Sequence, residues 1–141
     1  MLDRAHRSIW TTGGNQYGQL GDSSTTDNAV FVWVMSDGAT AVAAGAFHSM
    51  VLKQDGSVWA AGYNLYGQLG DNSTTNSLTF VQVISEGVKV VGSGAFHSMV
   101  LKQDGSAWAT GYNQYGQLGV GSVTRQTAFV KLDPFDADDG L

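Results

Sequence analysis

A stride of 49 residues constrains this chain more than any other feature. The segment Gly45 to Ser57 returns letter for letter as Gly94 to Ser106, and Asn15-Gln-Tyr-Gly-Gln-Leu-Gly21 recurs at Asn64–Gly70 and Asn113–Gly119. Residues 45–83 and 94–132 share about 27 of 39 positions, so they are copies of one unit and not a chance likeness. Trp10, Trp59 and Trp108 hold one phase of the repeat, and Phe31, Phe80 and Phe129 hold another. A unit of this size cannot bury its own apolar flanks, so it needs a neighbour on either side.

Within a unit the pattern predicts strands. Ser49–Leu52 and Val58–Ala61 are short apolar runs split by Lys53-Gln-Asp-Gly-Ser57, and Asp-Gly between such runs signals a hairpin. Val30–Val34 and Phe80–Ile84 read as a third strand, and Thr40–Ala44 and Val88–Val91 as a fourth. The stretches between them, Ser36-Asp-Gly38 and Ser85-Glu-Gly87, have turn chemistry. No helical period is sustained, and Pro134 is the only proline. Four short strands in about 49 residues make one propeller blade. The expected fold class is all-β, a partial β-propeller of two to three four-stranded antiparallel blades.

Composition removes several functions. The net charge of −5 is concentrated in Asp133, Asp136, Asp138 and Asp139, and the repeats are close to neutral. With no basic stripe to condense on phosphate, a direct nucleic-acid partner is not expected. The absence of cysteine excludes disulfides, thiolate catalysis and Cys-type zinc sites. No apolar run approaches the ~20 residues of a membrane span, and the charged start lacks the apolar centre of a signal peptide. A soluble chain is expected; its compartment stays open, with an intracellular setting slightly favoured.

Gly62-Tyr-Asn-Leu-Tyr-Gly-Gln-Leu-Gly70 and Gly45-Ala-Phe-His-Ser49 resemble the repeat of the RCC1 (regulator of chromosome condensation) family. That repeat reads G-x-N-x-x-G-Q-L-G, a polar loop, G-x-x-H-S with an apolar strand, then D-G and an aromatic residue. The resemblance covers Ile9 to Leu132. It implies a seven-bladed parent propeller, which at this stride needs about 340 residues. The chain is therefore expected to be a fragment, or a protomer that self-associates or adds further blades to cover its edges. The expected layout is a leader at 1–8, repeat units at about 9–44, 45–93 and 94–132, and an acidic disordered tail at 133–141.

Several residues invite chemistry. His48 and His97 each precede a serine, and Asp55 and Asp104 follow within the unit. Neighbouring strand residues point to opposite faces, so His48 and Ser49 cannot form a base–nucleophile pair. The histidines are expected to be framework residues bonded to backbone. The loops 22–27 and 71–76 are rich in oxygen ligands, but they lack calcium-loop spacing, and the third copy loses its carboxylate at Val120. No metal or cofactor is expected, and these loops read as solvated turns. Asn72-Ser-Thr74 is a formal glycosylation sequon, meaningful only in a secreted chain.

No helix follows the glycines as a phosphate loop requires. Gly18, Gly21, Gly67, Gly70, Gly116 and Gly119 instead read as turn residues, with Leu69 plugging between blades. Gly56, Gly105, Trp59 and Trp108 complete the structural set, the tryptophans packing within the blade.

Propellers of this kind present loops on a ring face, so specificity is sought where the copies differ. Leu65 against Gln114, Asp71 against Val120, Asn72 against Gly121, Thr74 against Val123 and Asn76 against Arg125 are candidate contact positions. Trp33 joins them because Gln82 and Lys131 replace it in the other copies. The resemblance implies protein–protein recognition without catalysis: a scaffold first, with a protein partner of unknown identity. The next readings are a regulatory module of a small-GTPase nucleotide-exchange factor or HERC-type ubiquitin ligase, or a bacterial β-lactamase-inhibitor-like binder. A nuclease or hydrolase is a distant last. Family exchange activity goes with an inserted hairpin, and the uniform stride here holds none.

Overall fold

The computed structural model describes residues 1–132, so the acidic-tail expectation lies outside the described residues. These residues form strands and turns and no helix. The first sheet joins β1 (Leu2–Asp3), β2 (Ser8–Gly13) and β3 (Asn28–Met35). The second joins β4 (Ala39–Ala44), β5 (His48–Lys53), β6 (Val58–Gly62) and β7 (Ser77–Ile84). The third joins β8 (Val88–Ser93), β9 (His97–Lys102), β10 (Ala107–Gly111) and β11 (Gln126–Leu132). Every pairing is antiparallel between strands consecutive in sequence, as in propeller blades. No helix among the described residues is long and apolar enough to cross a membrane.

The β5–β6 turn shows why the sequence folds locally. Gly56 takes φ +82°, closed to most side chains, and Lys53 N–H donates to the Ser57 carbonyl at 2.9 Å. The Asp55 carboxylate accepts from Ser57 N–H at 2.9 Å and Ser57 Oγ at 2.6 Å. Those bonds hold its pKa below the ordinary carboxylate value. Ser57 Oγ in turn accepts the Trp59 indole N–H at 3.0 Å, and Lys53 Nζ lies 4.6 Å from the indole ring centre. Asp104, Gly105, Ser106, Trp108 and Lys102 repeat the arrangement in the third sheet.

Strand pairing groups the strands at a different phase from the repeat units. Ala39–Ala44, placed by the repeat phase at the end of the first unit, pairs with β5 and opens the second sheet. Likewise β8 opens the third. The sheets therefore meet at residues 36–38 and 85–87, while the repeat units are counted from 45 and 94. A repeat has a period but no intrinsic start, and only strand pairing sets the cut. Within the 1–8 leader, Leu2 and Asp3 pair with Ile9 and Ser8.

The core lies between sheets. Met50, Leu52, Val58, Ala60 and Leu69 of the second blade bury against Val88 and Val100 of the third, flanked by Trp108 and Phe129. Ile9 buries against Ala39 and Val51 at the first joint, with Trp59 and Phe80 packed alongside. Each fully buried aliphatic side chain contributes about 1.5–3 kcal/mol, so most apolar stabilisation depends on a neighbouring blade. Backbone bonds stitch the same joints: Ala39 N–H to Arg7, Val88 N–H to Gly56 and Ala46 N–H to Ala95.

Candidate interaction surface

The loop after β6 is built around one buried side chain. The Asn64 amide nitrogen is within 3.0–3.2 Å of Asp71 Oδ1, the Ser73 carbonyl, Ser73 Oγ and the Thr75 carbonyl. Its carbonyl oxygen accepts Leu69 N–H at 3.0 Å. Asn15 organises the first loop in the same way through Asp22, Ser24 and Thr26. The oxygen-rich character that raises calcium thus has another cause: the oxygens converge on an amide nitrogen. Asn113 keeps the bonds to Ser122, Thr124 and Leu118 although Val120 replaces the aspartate. These asparagines went unassigned in the sequence reading; their position in the repeated motif was the available signal.

His48 is buried and its Nε2 lies 2.8 Å from Ser98 Oγ, in the next blade. This side-chain partner, 50 residues away, is one the framework expectation did not name. Ser98 Oγ also donates to the Gln68 carbonyl at 2.7 Å. A carbonyl carries no proton, so the serine's single proton is committed there, and His48 Nε2 must donate to Oγ. The serine is a bridge, not an activated nucleophile. Burial, with repulsion from His97 second, lowers the His48 pKa to about 4. His97, at the outer side of the third blade, is less buried and its pKa falls for the same desolvation reason.

The turn glycines hold the loops against the next blade. Gly67 and Gly70 have φ +80° and +76°, and a Cβ there would lie 2.6 Å from Thr127 Cα and 2.4 Å from the Phe129 ring. Gly18 and Gly21 meet Leu78 and Phe80 similarly.

The candidate contact positions divide. Asp71 and Asn76 are exposed and also brace the loop, Asp71 Oδ1 accepting from Asn64 and Ser73, and Asn76 Oδ1 from Asn64 N–H at 2.9 Å. Asn72 has φ +65° and its N–H reaches the Thr127 carbonyl at 2.8 Å, joining two blades. Leu65 is exposed, and Arg125 Nη1 donates to its carbonyl at 2.9 Å. Gln114 accepts from the Tyr112 hydroxyl. Trp33 stands apart in the first sheet, exposed and opposite Trp10.

A further feature includes the hydroxyl partner of Gln114. Tyr17, Phe47, Tyr63, Tyr66, Phe96, Tyr112 and Tyr115 form an unbroken run of ring contacts across the joints. Centroid separations run from 4.6 Å (Tyr17–Tyr63) to 6.3 Å (Tyr63–Phe96), with edge-on and tilted geometries that suit aromatic quadrupoles. Phe47 and Tyr115 are exposed, Tyr115 to 82%, and the others are half-buried. Desolvation, then the neighbouring tyrosines, raises the Tyr63 pKa. The sequence reading missed this ridge, although its members recur at the 49-residue stride.

Two family profiles match, both described as the regulator of chromosome condensation (RCC1) repeat, one at residues 39–68 and 88–117 and the other at 55–101. Together they span 39–117, more than half of the chain. No curated protein sequence matches. Among solved structures, Prp20p from Saccharomyces cerevisiae, described with its binding to Gsp1p and histones, superposes with TM-score 0.84 at 21% identity, over 94% of this chain and 35% of that one. Yeast RCC1 (Prp20) in complex with Kap60 gives 0.81 at 22%, over 94% and 34%. Human WBSCR16 gives 0.80 at 23%, over 93% and 35%. The chain spans about a third of the length of these structures. Repeat profile, blade architecture and buried Asn and His frame agree: this chain belongs to the RCC1-repeat family of β-propellers.

Proposed function

We propose that the chain is a protein-recognition module without catalytic activity, and that the aromatic ridge is its contact surface. The observation that carries this is the ridge itself: partly exposed tyrosines and phenylalanines, held rigid by blades, running across two joints. Rigid aromatic area binds at low entropic cost, and Tyr is enriched among interface hot spots. Exposed Leu65 and Arg125 extend the surface with an apolar contact and a cation. The match to Prp20p, which binds Gsp1p and histones, and to the Kap60 complex supports a protein partner. A catalytic reading loses support because Ser98, the serine nearest a buried histidine, has its proton committed to Gln68. The test is affinity capture with the immobilised chain beside a Tyr63→Ala/Tyr112→Ala/Tyr115→Ala variant of unchanged circular dichroism. A partner held by the wild type should bind the variant at least tenfold more weakly. Equal retention of every partner rules out the ridge.

A further inference from the structure

The molecule contains the same joint twice, and half of it once more at each end. At the first joint, Gly18 and Gly21 lie over Leu78 and Phe80, an Asp22–Thr79 bridge forms, and Ser23 N–H donates to the Leu78 carbonyl at 3.0 Å. At the second, Gly67 and Gly70 lie over Thr127 and Phe129, Asp71 bridges Ala128, and Asn72 N–H donates to Thr127 at 2.8 Å.

The third loop keeps the shape of this socket. Gly116, Gly119 and Gly121 have φ +74°, +70° and +77°, matching the loops that are filled. A Cβ at any of the three would meet nothing within 4 Å among the described residues. The counterpart plug is on the first sheet. Phe31, in phase with Phe80 and Phe129, is 50% exposed, and Val30 beside it is 67% exposed. One chain thus presents an open socket and an uncovered plug of the kind that fill each other twice inside it.

The geometry points to head-to-tail self-association, independent of the ridge and its partner: β3 of one copy seats on the 116–121 loop of a second. Phe31 fills the space over Gly119, Val30 bridges Val120, and Gly121 N–H donates to the Ala29 carbonyl. The occupant is a second copy of this chain because the contact continues a joint already made twice by the same repeat positions. The two surfaces differ, so the association is heterologous and adds copies in series.

Sedimentation of the 141-residue chain across a concentration series tests this with two variants. Phe31→Ser removes the plug, and Gly119→Asn fills the socket with a residue that tolerates positive φ. The wild type should rise above its 14.9 kDa monomer mass with concentration, while each variant alone stays at monomer mass. Mixed one to one, the variants pair one intact socket with one intact plug, so mass should double and rise no further. Val30→Lys serves as a second plug variant should Phe31→Ser lose its strand signal. A monomeric wild type, variants that assemble like the wild type, or a mixture that stays monomeric overturns the proposal.

Discussion

Strands β5 and β9 carry the same six residues inside the same repeated segment, yet they occupy different environments. Met50 is 1% exposed and Met99 36%; His48 is fully buried against Ser98, and His97 is only partly buried. Local sequence cannot cause the difference, because it is identical. The cause is the neighbour: β5 faces the third blade, and no described blade follows β9. Conformation in this protein is thus set within a blade, and stability is set between blades. That division follows the one-dimensional logic of repeat proteins.

Matched substitutions in the two environments should break the symmetry most where a blade is pressed directly on the site. Gly67→Val places a Cβ 2.6 Å from the Gln126 carbonyl and Thr127 Cα, so a loss of more than ~4 kcal/mol is expected in urea unfolding. In the monomeric chain Gly116→Val meets nothing within 4 Å among the described residues and bears only the backbone strain, about 1–2 kcal/mol. Equal midpoints for the two variants would mean that the turns, not the joints, carry the constraint.

A smaller contrast is expected from deleting the methionines. Met50→Ala leaves a cavity between blades and should lower stability by about 3 kcal/mol, and Met99→Ala by under about 1 kcal/mol. Thermal or urea denaturation of the pair measures this directly.

Acidity supplies a third contrast. Folded His48 refuses a proton until about pH 4, whereas the unfolded chain accepts one near pH 6.5. Between those values the unfolded state binds more protons, so stability falls as pH drops and rises as pH increases. The full effect is about 3 kcal/mol, complete only below pH 4. His48→Gln should flatten this part of the pH profile, and His97→Gln should change it less. An unchanged slope in the His48 variant would place the acid sensitivity elsewhere.

What the sequence revealed follows the same division. The stride, the strand runs and the Asp-Gly hairpins were legible because they are local: Asp55, Gly56, Ser57 and Trp59 bond within a few residues of one another. The blade cut was not, because β4 pairs forward and periodicity carries no direction. The His48–Ser98 bond was hidden for a related reason. Strand alternation ruled out Ser49, and only blade stacking could bring in the serine of the next copy. Asp71 and Asn76 were legible as variable loop positions, but their bonds to the Asn64 hub were not, because the hub forms only when the loop closes. The ridge escaped because the short contacts within a loop join into one run only through contacts across joints.

Residue-resolved amide hydrogen exchange on β5 and β9, in the monomeric Phe31→Ser variant, tests the central claim most directly. The two strands have identical sequences and therefore matching intrinsic exchange rates, so any difference reports structure alone. Amides of Met50 to Leu52 should exchange at least tenfold more slowly than those of Met99 to Leu101. Equal protection in the two strands would contradict the account, because each blade would then be stable without its neighbour.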